Sequence, residues 1–248
     1  MESSTLFFNP AKALCMHNRL KKRTVFILFF LLIIGLKVFA QQEQIQQYRD
    51  LLLKEKQDTV KIEIMGNLAN VLGQNSDTTE ALQLLNDALA LCEKNKYYYG
   101  FGHIYTIMGI YYDDISDYEK SEYYHKLGYE NFSKGKDEKS RAGLGTVLES
   151  LASIETRKGN FVKAINLHLQ ALDIWQAISL PEKDVAIAAI YGNIANNYLK
   201  LDQYDKVINY DKKALEIRLR SNRVDIELGT LYIYLADDFL KNNQVDSA

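Results

Sequence analysis

The sequence is poor in the residues that make sharp turns and covalent staples. Only 2 prolines and 13 glycines occur among 248 residues. That excludes a collagen-like chain and argues against a turn-rich all-β fold. Cysteine is nearly absent too, with Cys15 and Cys92 alone. Cys15 precedes an apolar run instead of following it, unlike a lipoprotein cysteine. Cys92 by itself cannot close an internal disulfide, and neither has the neighbours of a zinc site. No excess of positive charge is present: 30 Lys and Arg face 32 Asp and Glu. The first forty residues hold six of those bases and one of those acids, so the remainder carries a net charge of −7. An acidic body offers no footprint for a phosphate backbone, which excludes nucleic acid as a partner of this segment. What is there is ordinary globular material, 47% apolar and 25% charged, which argues against wholesale disorder.

The basic side chains near the start cluster at Arg19, Lys21, Lys22 and Arg23, directly before thirteen uncharged residues, Thr24 to Leu36. Val38-Phe39-Ala40 then places small or modest side chains where a signal peptidase would cut before Gln41. Thirteen helical residues span about 20 Å, short of the roughly 30 Å of a hydrocarbon core. Residues 16–40 therefore read as a signal peptide, with an uncleaved anchor as the rival. Both put the body outside the cytoplasm, because a basic flank stays on the cytoplasmic side. Met16 opens a more conventional signal than Met1, so residues 1–15 read as an over-called leader.

Beyond residue 61 the chain repeats itself. A large apolar residue followed by a small one recurs as Leu68-Ala69, Met108-Gly109, Leu151-Ala152, Ile194-Ala195 and Leu235-Ala236, at steps of 40, 43, 43 and 41 residues. Twelve residues after each small residue comes a second compact one (Ala81, Ser121, Ala164, Val207, Ala248). Seven further lies a third in four copies: Ala88, Gly128, Ala171 and Ala214. This spacing predicts antiparallel helical hairpins, because small residues let two helices approach closely while large ones fill the space between hairpins. Short polar turns such as Lys158-Gly159-Asn160 and Leu201-Asp202-Gln203 separate the helices, and Tyr118, Phe161 and Tyr204 open the second helix. A single hairpin cannot bury its apolar face, so the units must stack. Ahead of the repeats, residues 41–61 read as a lead helix whose Ile45, Tyr48, Leu51 and Leu52 share one face and could cap the array. Asp58 or Thr59 is expected as the N-cap of the helix that follows.

These residues resemble the tetratricopeptide repeat (TPR) family. Its small positions 8, 20 and 27 match the three series above. Its aromatic positions 4 and 11 match Tyr105, Tyr191 and Tyr232, and Tyr112, Tyr198 and Phe239. Glu155 at position 11 and Asp211 at position 24 depart from the pattern. The period exceeds the usual 34 residues and is similar to the longer-helix subclass of kinesin light chains and bacterial signalling proteins. The resemblance implies an all-α, right-handed solenoid of antiparallel helix pairs over residues 62–248, preceded by the signal or anchor helix. Repeats start near 62, 102, 145, 188 and 229. The fifth copy stops at Ala248, before its second helix would finish, which reads as truncation.

No catalytic chemistry stands out. The chain lacks a Gly-rich phosphate loop, a nucleophile motif and metal-ligand spacing. His125 and His168 both fall at position 24, and equivalent positions in adjacent repeats lie on the order of 10 Å apart, so packing is expected of them. No enzyme activity, cofactor or metal is expected of this segment. Asp113-Asp114 and Asp237-Asp238 point about 100° apart on a helix and read as a solvated face. The TPR resemblance implies instead a concave face lined by first-helix positions 2, 5, 9, 12 and 13. The groove residues on that basis are Asn70, Gln74, Thr106, Asp113, Ser153, Arg157, Asn196, Lys200 and Asp237. Asn70 and Asn196 match the family's position-9 asparagine, a donor and acceptor suited to a peptide backbone. The position-5 lysine that clamps a C-terminal carboxylate is missing, since Gly66, Thr106, Glu149, Gly192 and Ile233 stand there. Seven of the 17 tyrosines fall on repeat positions. The others, including Tyr97-Tyr98-Tyr99 and Tyr123-Tyr124, are read first as filling long helices and second as a recognition surface.

The order of signal segment, lead helix and forty-residue repeats resembles the extracytoplasmic half of bacterial sensor histidine kinases. That implies a protein or peptide ligand in the concave groove and an exported, periplasmic or membrane-associated array. Membrane attachment would come through the N-terminal segment or a helix beyond Ala248, and a homodimer is left open for the full-length protein. A secreted or envelope-tethered scaffold without a kinase is the alternative.

Overall fold

The computed structural model describes residues 39–74 and 78–220. Helix α1, residues 39–54, falls almost wholly in an N-terminal unit that ends at Leu53. Of its expected apolar face, Ile45 is buried, Tyr48 and Leu52 are half-buried and Leu51 is exposed. The second unit contains eight described helices: α2 (Asp58–Gln74), α3 (Thr78–Asn95), α4 (Tyr98–Asp114), α5 (Tyr118–Phe132), α6 (Glu138–Arg157), α7 (Phe161–Gln176), α8 (Lys183–Leu199) and α9 (Tyr204–Arg220). No strand occurs among the described residues. The signal segment and the fifth copy lie outside them.

Consecutive helices pair as hairpins, α2 with α3, α4 with α5, α6 with α7 and α8 with α9, and the second helix of each hairpin also packs on the first helix of the next. The first helices form their own row, α2 touching α4 and α4 touching α6. The result is an all-helical solenoid. Every described small residue of the three sequence series is buried, from Ala69, Gly109, Ala152 and Ala195 to Ala88, Gly128, Ala171 and Ala214. The reason is direct at two of them. A Cβ on Gly109 would lie 2.7 Å from the His125 ring, and one on Gly128 would lie 3.0 Å from Thr106 Oγ1 and 3.3 Å from the Gly102 carbonyl. Larger apolar residues fill the space between hairpins, as Leu148, Ile165, Trp175, Ile187, Ile190 and Ile194 do between the third and fourth.

The turns inside three hairpins share one construction. Ser116, Gly159 and Asp202 occupy the same repeat position and take φ of 62°, 80° and 54°. Around each, two backbone bonds close the preceding helix. In the third hairpin they run from Asn160 N–H to the Glu155 carbonyl (2.8 Å) and from Gly159 N–H to the Thr156 carbonyl (3.0 Å). This is the Schellman arrangement, which satisfies end carbonyls that lack helical partners. Tyr118, Phe161 and Tyr204 then open α5, α7 and α9.

Asp58 does not cap α2 from outside. It is the first residue of the helix, and its carboxylate accepts from Lys94 Nζ (2.9 Å) and Asn95 Nδ2 (3.2 Å) at the end of α3. Side-chain caps do occur at Asp117 and Asp137, which accept from the N–H groups of Lys120 (3.2 Å) and Ser140 (2.9 Å). The first helices begin several residues ahead of the repeat starts counted from sequence. With 17 residues in α2, α4 and α8 and 20 in α6, these extensions help to account for the long period.

The first departure from the repeat pattern is met by polar neighbours. Glu155 is buried, and its carboxylate accepts from Asn160 Nδ2 (2.8 Å) and Lys163 Nζ (3.0 Å). In the second and fourth hairpins the equivalent lysine instead lies over a tyrosine ring, Lys120 over Tyr112 at 5.0 Å and Lys206 over Tyr198 at 4.7 Å. Position 11 thus offers this lysine either a carboxylate or a π face. Asp211, the other departure, is buried.

Candidate functional site

The row of first helices carries polar side chains in three groups. Near the helix starts, Glu63 of α2 accepts from the Tyr97 hydroxyl (2.9 Å) and from Lys139 Nζ of α6 (2.8 and 3.0 Å). Lys139 also lies 4.9 Å from the centre of the Tyr99 ring, which stacks on His103 at 6.2 Å. Burial pushes the Tyr99 hydroxyl up to about 12. Burial holds His103 below the ordinary imidazole range, with Glu63 pulling the other way.

Midway along α6, Glu149 accepts from the Trp175 indole N–H at 3.0 Å. Burial pushes its carboxyl up to about 7, a shift the indole bond only partly offsets. Here position 5 holds a carboxyl that titrates near neutrality.

Toward the helix ends, Arg157 of α6 pairs with Asp113 of α4, and its guanidinium approaches the Tyr118 ring at 5.9 Å. Thr156 donates to Asn197 of α8 (2.8 Å), and Asn197 donates in turn to the Asn193 carbonyl (2.8 Å). These bonds stitch neighbouring first helices together.

Between these stitched groups lie open polar side chains. Asn70 and Gln74 line a hollow with Ala69, Gly73, Tyr111 and Asp114. Asn196 is exposed on α8, and Lys200 is exposed at its C-terminal cap. None of these four makes a side-chain hydrogen bond to another described residue. The histidines at position 24 are packing residues: His125 and His168 are each 1% exposed, and burial holds both near pKa 4. No cluster of three metal-ligating side chains occurs among the described residues, and no described helix is long and apolar enough to cross a membrane.

Residues 62–95 and 143–248 match two family profiles, each described as tetratricopeptide repeat. The array is built of tetratricopeptide repeats. No curated protein sequence matches the chain. Among solved structures, BtubC from P. vanneervenii is similar over 85% of both chains, with 17% identity and a TM-score of 0.67. The apo quorum sensor NprR from B. thuringiensis is similar over 86% of this chain and 58% of its own, with 17% identity and a TM-score of 0.61. NprR in complex with its cognate peptide NprX gives a TM-score of 0.55 at 16% identity, over 86% of this chain and 59% of its own. At such identities the likeness is one of fold.

Within the TPR frame, the nine groove residues expected from sequence divide clearly. Asn70, Gln74, Asn196 and Lys200 are the open ones. Asp113 and Arg157 are joined to each other, and the Ser153 hydroxyl is committed to the Glu149 carbonyl at 3.0 Å. Thr106 is a correction: it is buried, its hydroxyl donates to the Gly102 carbonyl (2.8 Å), and its Oγ1 faces Gly128 of α5. The absence of a side chain at Gly128 draws the two helices together over it. Asp237 lies outside the described residues. Tyr97 and Tyr99 stood out in the sequence only as part of a tyrosine run; their meeting with Lys139 was not legible, because all three precede the counted repeat starts. Asn197 was overshadowed by the position-9 asparagine beside it.

Proposed function

We propose that this TPR array binds a peptide or protein segment along its row of first helices, as the extracytoplasmic input region of a bacterial sensor histidine kinase. The observation that carries the reading is the set of open amide and ammonium side chains, Asn70, Gln74, Asn196 and Lys200, on a row otherwise stitched by ion pairs and hydrogen bonds. Amides supply both a donor and an acceptor, which is what an extended backbone presents. NprR, which shares the fold, has been solved with its cognate peptide. The basic cluster and apolar run before Gln41 support export, and a ligand preferring one arrangement of the row would bias a coupled membrane element.

Selection of a random peptide library on the immobilised array tests the binding. Selected peptides should lose at least tenfold in affinity to the double variant Asn70→Ala/Asn196→Ala while its melting temperature stays unchanged. No enrichment over bare support, or a loss of stability in place of affinity, would overturn it. Residues 1–40 fused to alkaline phosphatase should give activity, since that enzyme works only outside the cytoplasm. Reading the coding DNA past Ala248 separates the outputs: a membrane helix and kinase domain support the sensor, whereas a capping helix and stop codon support the scaffold.

A further inference from the structure

The Glu63 cluster has the composition of an ammonium receptor, and an ammonium already fills it. Lys139 Nζ is held by both carboxylate oxygens of Glu63 and by the face of Tyr99, while the Tyr97 hydroxyl donates to the same carboxylate and orients it. A charge-assisted bond combined with a π face suits a primary ammonium on a slender alkyl stem. The occupant is poorly placed for a purely structural role. Lys139 is the second residue of α6, where the helix dipole disfavours a cation, and its side chain is 55% exposed. Its partner, by contrast, is 28% exposed and lies 76 residues away, two hairpins back.

We propose that Glu63, Tyr97 and Tyr99 form a receptor for a lysine side chain of the bound peptide, occupied in this structure by the chain's own Lys139 acting as a stand-in. This deepens the peptide-binding reading and rests on it. An incoming lysine displaces Lys139, and with it goes a strap between the first and third hairpins. Occupation of the site is thereby coupled to the relative placement of α2 and α6, a device by which a ligand can shift a two-state array.

The test uses a small probe, Nα-acetyl-lysine methylamide, titrated against the full chain while the tyrosine ring resonances are followed by NMR. Lys139→Met empties the site of charge yet keeps an apolar stem beside Tyr99. This variant should bind the probe at least tenfold more tightly than the wild type, and Lys139→Met/Glu63→Gln should lose the gain. The Nε-acetylated probe should not bind. Lys139→Ala, which leaves no side chain able to refill the site, must show the same gain, with circular dichroism confirming the fold of each variant. Equal binding by wild type and both Lys139 variants overturns the proposal. So does binding that survives Glu63→Gln, or a preference for alanine methylamide, whose only ammonium is its α-amine. Because the probe is not the natural ligand, the two readings fail separately. Library peptides that bind without a lysine preference remove this site alone, and probe binding without any selected peptide removes the wider groove.

Discussion

Glu149 gives the sharpest energetic prediction. Its carboxyl ordinarily titrates at 4.5, and burial beside Trp175 raises it to about 7. The folded chain therefore holds this proton more tightly than the unfolded one. The stabilisation is fully present below pH 4.5 and is lost as pH rises through 7. At 1.36 kcal/mol per pKa unit, the charged form costs the fold up to about 3 kcal/mol at pH 8. Glu149→Gln removes the charge at every pH and keeps an amide oxygen to accept the indole hydrogen. The variant should exceed the wild type in stability by about 2–3 kcal/mol at pH 8, roughly 4–12 °C in melting temperature for a chain of this size. The gap should shrink to below about 1 kcal/mol at pH 5. Urea unfolding at both pH values measures it. Trp175 is the single tryptophan of the sequence, so its native-state fluorescence should titrate near pH 7 in the wild type and stay flat in the variant. A gap that is independent of pH, or a native titration near 4.5, would refute the reasoning.

Two further outcomes follow from the packing. His125 and His168 ordinarily titrate at 6.5 but are held near 4 by burial, so they stabilise the fold above pH 6.5 and that contribution is lost as pH falls toward 4. In the Glu149→Gln background, urea melts should show stability falling by several kcal/mol over that window, and His168→Leu should flatten the slope; an unchanged slope would show that His168 is not the titrating group. Ala171 is 0% exposed at the centre of its hairpin, and Ala171→Leu should cost about 1–3 kcal/mol by overpacking, with unchanged thermal melting counting against the repeat register.

Much of the solenoid was legible because it is written in local arithmetic. Spacings of twelve and seven residues between small side chains mark where two helices touch, and contact of that kind repeats in every described hairpin. The turn position shared by Ser116, Gly159 and Asp202 was partly visible. Only Gly159 announces a left-handed backbone, whereas Ser116 and Asp202 adopt it because the Schellman bonds and the packing of the next helix hold them there. Thr106 shows the opposite case. Its repeat position promised an open side chain, but Gly128 brings α5 close enough to bury it.

The sequence by itself determined the helical hairpin, its period and the residues at its seam, since each depends on neighbours within one or two helices. Only the tertiary structure decided which polar side chains stay open. Glu63 meets Lys139 across 76 residues, Thr156 meets Asn197 across 41 and Asp113 meets Arg157 across 44. Such pairings depend on the rise and rotation from one hairpin to the next. A repeat motif records how a hairpin closes, and the stacking of hairpins sets which charges then face each other.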